Sequence, residues 1–176
     1  NLAFADTEIP LGHGESMMFP RVEARMLQDL DVQPNDECLE IGTGSGFVTA
    51  CLAHMSKHVD SVDLYADLSQ QAEKNLHSVD INNFNLYIDD AGYGWEGNPG
   101  KQYDVIAVTG SLPEYNSVFE QRLKVGGRLF VIVGTAPTMQ AMLITREDHS
   151  QFDRQTLFET VIKPLEGTEL PAKFQF

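Results

Sequence analysis

Apolar residues at helical spacing alternate along this chain with short, nearly continuous apolar runs. Val22, Met26, Leu27 and Leu30 share one face of a helix over residues 22–30, with Arg21, Glu23 and Asp29 on other faces. Pro34-Asn35-Asp36 turns the chain into a strand at Glu37-Cys38-Leu39-Glu40-Ile41. Three glycines, Gly42, Gly44 and Gly46, then remove every Cβ where the chain must bend, and an apolar helix follows over residues 47–56. Val59, Val62 and Leu64 mark a second strand, and Leu68, Ala72, Leu76 and Val79 form the stripe of a helix over 68–79. Asn82-Asn83 leads to a strand at 85–90, and residues 92–100 read as loop. Tyr103 to Gly110 is the kind of run that buried parallel strands show. A helix is predicted at 114–123, and a strand at 128–133 after Gly126-Gly127.

Up to that point strands and helices alternate, which predicts right-handed crossovers and a parallel sheet. After Pro137 the rhythm changes. Residues 142–145 and 155–162 read as strands separated only by a polar turn around 148–153, so they must be antiparallel. The predicted fold is α/β: a Rossmann-like, doubly wound, mainly parallel sheet with helices on both faces and an antiparallel C-terminal hairpin. Residues 1–176 form one domain, divided into an N-terminal loop and helix (1–34), a βαβ core (35–135), and antiparallel strands with a tail (136–176). Residues 1–20 mix breakers with apolar residues and read as an ordered loop; Pro164 onward reads as a fraying tail.

Composition narrows the partners. The chain is 42% hydrophobic and 22% charged, ordinary for a globular protein, but its net charge of −14 repels phosphate backbones. Nucleic acid is therefore not an expected partner, and no apolar run reaches the roughly 20 residues of a membrane span. Cys38 and Cys51 read as buried free thiols, which suits a reducing cytoplasm. The chain begins at Asn1 with no signal-peptide pattern and reads as a fragment lacking an N-terminal segment. The histidines have no matching Cys or carboxylate spacing, so no metal site is expected.

The glycine turn carries the chemistry. A dinucleotide fingerprint needs Gly-x-Gly-x-x-Gly, and from Gly42 that frame puts Phe47 at the third glycine. No Lys-Ser/Thr pair follows, so the turn is not a P-loop. An acid, Glu40, stands at its mouth. Such a turn suits a ligand that is cationic and lacks phosphates, and S-adenosylmethionine (SAM) is one. In a doubly wound sheet ligands sit beyond the carboxyl ends of the strands, where Glu40, Asp63, Asp90 and Thr109 fall. Asp63 lies about 20 residues past the turn, where an acid can take both ribose hydroxyls. Asp90 can accept from the adenine amino group. Both acids can instead cap helices, and Glu40 can hold helix N–H groups rather than the ammonium of SAM. The candidate cofactor-binding set is Glu40, Gly42, Thr43, Gly44, Ser45, Gly46, Asp63, Leu64, Asp90, Ala91 and Thr109, which makes 35–135 the SAM-binding core.

Glu40-Ile41-Gly42-Thr43-Gly44-Ser45-Gly46 resembles motif I of the class I SAM-dependent methyltransferases, whose sheet also ends in an antiparallel hairpin. With Ile9-Pro10-Leu11-Gly12-His13-Gly14-Glu15-Ser16, Pro20, Ala24-Arg25-Met26, Asp63, Asp90-Ala91-Gly92, Tyr103–Thr109 and Gly126-Gly127, the chain resembles the protein-L-isoaspartate O-methyltransferase family, in its bacterial branch, from about Leu2 to Leu165. The resemblance implies methyl transfer from SAM to the free carboxylate of an L-isoaspartyl residue in peptides or proteins, leaving S-adenosylhomocysteine, in a cytoplasmic repair reaction. The family's Gly-x-Gly-Gln-Thr-Ile-Ser segment reads Gly12-His13-Gly14-Glu15-Ser16-Met17-Met18 here. Ser16 keeps the hydroxyl of the Thr, Glu15 replaces the Gln, and Met18 stands at the serine usually assigned to the active site. Thr109-Gly110-Ser111-Leu112-Pro113 also departs from the family's Thr-Ala-Ala-Pro.

An isoaspartyl carboxylate wants hydrogen-bond donors; Met18 offers none and an ionised Glu15 repels it. The SAM half of the site thus reads as intact and the acceptor half as altered, with Ser111 one source of a replacement hydroxyl. Ser16 and His13 are the candidate catalytic residues, although His13, between glycines, also suits a loop-ordering role; residues 12–18 are the candidate lid. Tyr93 and Trp95 read either as a pocket wall or as packing. Three functions follow: an isoaspartyl carboxyl methyltransferase, a methyltransferase of the same fold with another acceptor, and a non-catalytic SAM-binding module. Sequence assigns no oligomeric state.

Overall fold

The apolar run from Tyr103 to Leu112 becomes the strand around which the sheet is laid. The structure is a computed structural model and describes residues 5–168. Its strands are β1 (Pro10–Gly12), β2 (Glu15–Ser16), β3 (Glu37–Ile41), β4 (His58–Asp63), β5 (Phe84–Ile88), β6 (Tyr103–Leu112), β7 (Leu123–Thr135), β8 (Thr138–Arg146) and β9 (Phe152–Thr160). Its α-helices are α1 (Pro20–Leu30), α2 (Phe47–Met55) and α3 (Ala66–Ser78). Seven strands form one sheet in the order β5-β4-β3-β6-β7-β8-β9. The first five are mutually parallel, and β8 and β9 run antiparallel to their neighbours. The chain moves outward from β3 to β5 and then returns to the other side of β3. The order therefore reverses between β3 and β6, where a doubly wound sheet opens its ligand crevice.

One face is covered by helices. Val22, Met26 and Leu30 of α1, with Val48, Leu52 and Ala53 of α2, pack on Cys38, Val59, Val105, Ala107 and Phe130. α2 is apolar on nearly every side because α1 and α3 flank it. The opposite face holds Leu39, Ile106, Val108, Leu129 and Val131, covered by Ala91 and Trp95 from one connection and Phe119 from another.

That second connection corrects the sequence reading. The expected helix at 114–123 is a turn followed by a single 3-10 turn, Glu120–Arg122. Pro113 starts the segment and Asn116 folds back to accept a hydrogen bond from the Val118 N–H at 3.0 Å, an Asx turn that competes with helix. Side-chain anchoring replaces helical periodicity: Phe119 is buried and Arg154 bonds Glu120 at 2.7 Å.

Two further segments differ from expectation. Residues 10–16, read as loop, form the small β1–β2 hairpin. The segment from Pro164, read as a fraying tail, is fixed as far as Thr168. The Ser111 N–H donates to Lys163 O at 3.1 Å, and the Leu165 N–H donates to Ser111 O at 2.9 Å. Leu165 covers Gly110 so closely that a Cβ there would lie 2.5 Å from it. Residues 169–176 of that predicted tail lie outside the described residues. Of the two free thiols, Cys38 is buried and Cys51 only half-buried.

The bottom of the sheet is tied by a buried acid. Asp60, with no exposure, accepts from Lys101 Nζ at 2.7 Å, Tyr103 Oη at 2.8 Å and Asn98 Nδ2 at 3.0 Å on one oxygen, and from Asn85 on the other. Burial opposes its charge, but Lys101, Tyr103 and Asn85 outweigh it and hold the carboxyl below the usual range. Asp60→Ala leaves those donors unpaired and is expected to cost about 3–5 kcal/mol in urea unfolding.

Candidate functional site

The cleft lies where the sheet order reverses. It encloses about 310 Å³ between the ends of β3, β4 and β6, the start of α2, the β1–β2 hairpin and residues 162–166. That is in the range of small-molecule sites.

Its floor is the glycine turn. Gly42, Gly44 and Gly46 have φ of 98°, 53° and 82°, left-handed values that favour glycine. A Cβ at Gly42 would sit 2.3 Å from Thr109 Oγ1, and one at Gly44 would press on Leu11 of the hairpin at 3.0 Å. Thr109 sits within a register break in β6, between Ala107 and Ser111, and its hydroxyl lies 2.9 Å from Ile41 O and 2.8 Å from Gly42 O. Asp63, at the end of β4, accepts from the Gly44 N–H at 2.8 Å and the Tyr65 N–H at 2.9 Å. It thus braces the turn with one oxygen and the start of α3 with the other, while still lining the cleft.

Beneath the turn, Glu40 is fully buried. Its Oε2 accepts from the hydroxyls of Thr49 and, at 2.6 Å, Ser61; Thr43 is 2.6 Å further along the same chain of hydroxyls. Its Oε1 is buried without a partner among the described residues. Burial raises its pKa to about 8 in spite of the hydroxyls of Ser61 and Thr49, which favour the charged form. Glu40 therefore holds side-chain hydroxyls rather than helix N–H groups. Ser61 and Thr49 escaped sequence reading, because a hydroxyl inside an apolar strand or helix looks like filler.

Leu64, Ala91, Asp90 and Ser45 also line the cleft. Asp90 lies two residues past the end of β5, and its Oδ1 accepts from the Gly92 N–H at 3.0 Å, leaving Oδ2 without a partner among the described residues. Ser16 lines the hairpin side. His13 does not line the cleft: its Nε2 lies 2.9 Å from Asp67 and its ring stacks on Tyr65 at 4.0 Å between centroids, so it pins the hairpin tip to the start of α3. The Ser111 hydroxyl faces away, donating to Ile162 O at 3.0 Å, and is no replacement donor. Trp95 is buried packing and bonds Asp89; Tyr93 is exposed and bonds Gly167 O.

The acceptor side is as unusual as the sequence indicates. Met18 is buried in the core below the hairpin, and Glu15 pairs with Lys163, which neutralises the charge expected to repel an anion. Eight acidic residues line the cleft (Glu8, Glu15, Glu23, Glu40, Asp63, Asp89, Asp90 and Glu166), and Lys163 is the one basic residue among the described lining. Glu23, placed on an outward face by periodicity, is buried.

A family model described as protein-L-isoaspartate(D-aspartate) O-methyltransferase (PCMT) matches residues 1–170. The chain belongs to this family. It is 33% identical over 169 residues to a protein-L-isoaspartate O-methyltransferase of Protochlamydia amoebophila, covering 96% of this chain and 80% of that one. It is 34% identical over 168 residues to one from Serratia proteamaculans, covering 96% and 79%. Among solved structures, that of a family member from Plasmodium falciparum in complex with S-adenosyl-L-homocysteine superposes with a TM-score of 0.78 at 22% identity, over 93% of this chain and 81% of that one. At that identity the likeness speaks for the fold, in which the mainly parallel sheet and antiparallel hairpin are shared. Among the described residues no helix is long and apolar enough to cross a membrane, and no group of three or more His, Cys, Asp or Glu is placed to hold a metal ion.

A carboxyl whose pKa is raised by folding weakens the fold as pH rises from its unfolded value toward the folded one. For Glu40 that window runs from about 4.5 to about 8. Glu40→Gln is therefore expected to raise the melting temperature of the ligand-free protein at pH 8 by several degrees and to change it little at pH 4.5, in a thermal scan across pH.

Proposed function

We propose that the protein is a SAM-dependent protein-L-isoaspartate O-methyltransferase acting on isoaspartyl residues of damaged peptides and proteins. Family membership over residues 1–170 carries this reading, because the match spans the donor cleft and the acceptor loop together. The cleft supports it: an unpartnered buried oxygen on Glu40, a turn with no room for Cβ atoms, and an acidic wall all suit a cationic nucleoside. SAM, when bound, supplies a methyl group on a sulfonium.

The protein's own part is positioning. Asp63 would receive the ribose hydroxyls while bracing Gly44, and Asp90, with Leu64 and Ala91, would hold the adenine through its amino group. The N–H groups of the glycine turn and the start of α2 would meet the carboxylate of its amino-acid end. The hairpin, pinned by His13 to Asp67 and by Glu15 to Lys163, acts as the lid that excludes water. No general base is needed, because the attacking carboxylate is already ionised. A dry cleft would favour a transition state in which opposite charges are being lost, and in-line placement of donor and acceptor would contribute several kcal/mol more. Ser16 is the hydroxyl left on the lid to orient the acceptor. The two free thiols support residence in a reducing, cytoplasm-like compartment.

A second reading keeps the donor and changes the acceptor. Met18 and the acidic lining favour it, since neither welcomes a carboxylate. Transfer of tritium from labelled SAM distinguishes the two. Label on an isoaspartyl peptide and none on its aspartyl counterpart supports repair; no label on either, with donor binding intact, supports another acceptor. Asp63→Ala is expected to weaken S-adenosylhomocysteine binding at least tenfold by calorimetry, since two charge-assisted contacts go with it. Unchanged binding in that variant would refute the role given to Asp63.

A further inference from the structure

One side chain of α1 is explained neither by packing nor by pairing. Glu23 is 4% exposed, yet its carboxylate has no hydrogen bond or ion pair among the described residues. It lines the same cleft as Glu40, whose Oε1 is buried there without a partner among the described residues, and its charge reaches Glu40. The groups facing the pair are acidic or neutral: Cys51 from α2 lies within the field of both glutamates, and Asp63 from β4 within that of Glu40. Lys163 is committed to Glu15 and Glu166.

Two buried carboxylates with unused oxygens and no cation of their own are costly when ionised, and their repulsion adds to that cost. Both problems end when a compact cation with several N–H donors enters. A metal ion suits the site poorly, for want of a third ligand among the described residues. We propose that Glu23 is a donor-binding residue, which with Glu40 forms a two-carboxylate receptacle for the α-ammonium at the amino-acid end of SAM. This rests on the SAM-binding reading above and adds to it an α1 residue.

The ammonium offers three donors, enough for Glu40 Oε1 and both oxygens of Glu23. With the cleft free, burial raises Glu23 to about 7 and Glu40 to about 8, so the pair retains protons near neutrality. An arriving ammonium favours the charged forms, and those protons leave for solvent.

The test compares S-adenosylhomocysteine with 5′-methylthioadenosine, which shares the nucleoside and lacks the amino-acid end. In Glu23→Gln, affinity for S-adenosylhomocysteine is expected to fall roughly tenfold to a hundredfold, the loss of a charged hydrogen bond, while that for 5′-methylthioadenosine holds within about twofold. Equal affinities for S-adenosylhomocysteine in Glu23→Gln and the unaltered protein, or parallel losses for both ligands, overturn the proposal. The unaltered protein gives a second readout that needs no variant to fold. Calorimetry at pH 7 in buffers of different ionisation enthalpy is expected to show proton release with S-adenosylhomocysteine and none with 5′-methylthioadenosine. Equal proton counts overturn the receptacle. If neither ligand binds the unaltered protein, the SAM-binding reading itself falls.

Discussion

A carboxylate sealed beneath a turn of glycines is the constraint to which the rest of the molecule answers. Glu40 stands next to last in the strand beside the sheet's switch point, with one oxygen held by two hydroxyls and the other unpaired among the described residues. Thr49 must come from α2 and Ser61 from β4, so helix and neighbouring strand are fixed in position by the same acid. Gly42 is without a side chain because Thr109 stands there, and Gly46 because α3 packs within 3.1 Å of where a Cβ would be. The turn is therefore shaped on three sides by packing, and its open side is left to a ligand.

The acidity of the cleft follows the same logic. Among the described residues the site is lined by eight acidic side chains and one paired lysine, a lining that attracts a cation and gives little help to a phosphate or a free acid. For the donor this is an advantage, and its sulfonium and ammonium are matched to the wall. For an isoaspartyl acceptor it is a burden, eased where Lys163 neutralises Glu15 but not where Met18 has replaced a hydroxyl. The tension between an intact donor half and an altered acceptor half is thus a property of the folded site.

Much of this was legible in the chain itself. The strand from Tyr103 and the glycine turn were readable because a buried parallel strand needs an unbroken apolar run and a tight turn needs residues without Cβ. Asp63 and Asp90 were readable as strand-end acids. The connection at 114–123 was not, because Asn116 and the buried Phe119 hold it by specific contacts that leave no period. Glu23 was misread for a related reason: periodicity sorts charged residues outward, and only the cavity between α1, α2 and β3 reveals that this one faces inward. His13, a chemically suggestive residue in a suggestive motif, ties the hairpin tip to Asp67 and Tyr65 and does not line the cleft. Motif position did not tell a side chain that lines the cleft from one that holds the hairpin.

The central claim is that the turn above Glu40 receives a cationic nucleoside and not a pyrophosphate. Side-by-side calorimetric titration of the protein with S-adenosylhomocysteine and with NAD tests it most directly. Saturable micromolar binding of S-adenosylhomocysteine, with no heat from the dinucleotide, is the predicted result. Binding of NAD in its place would contradict the account.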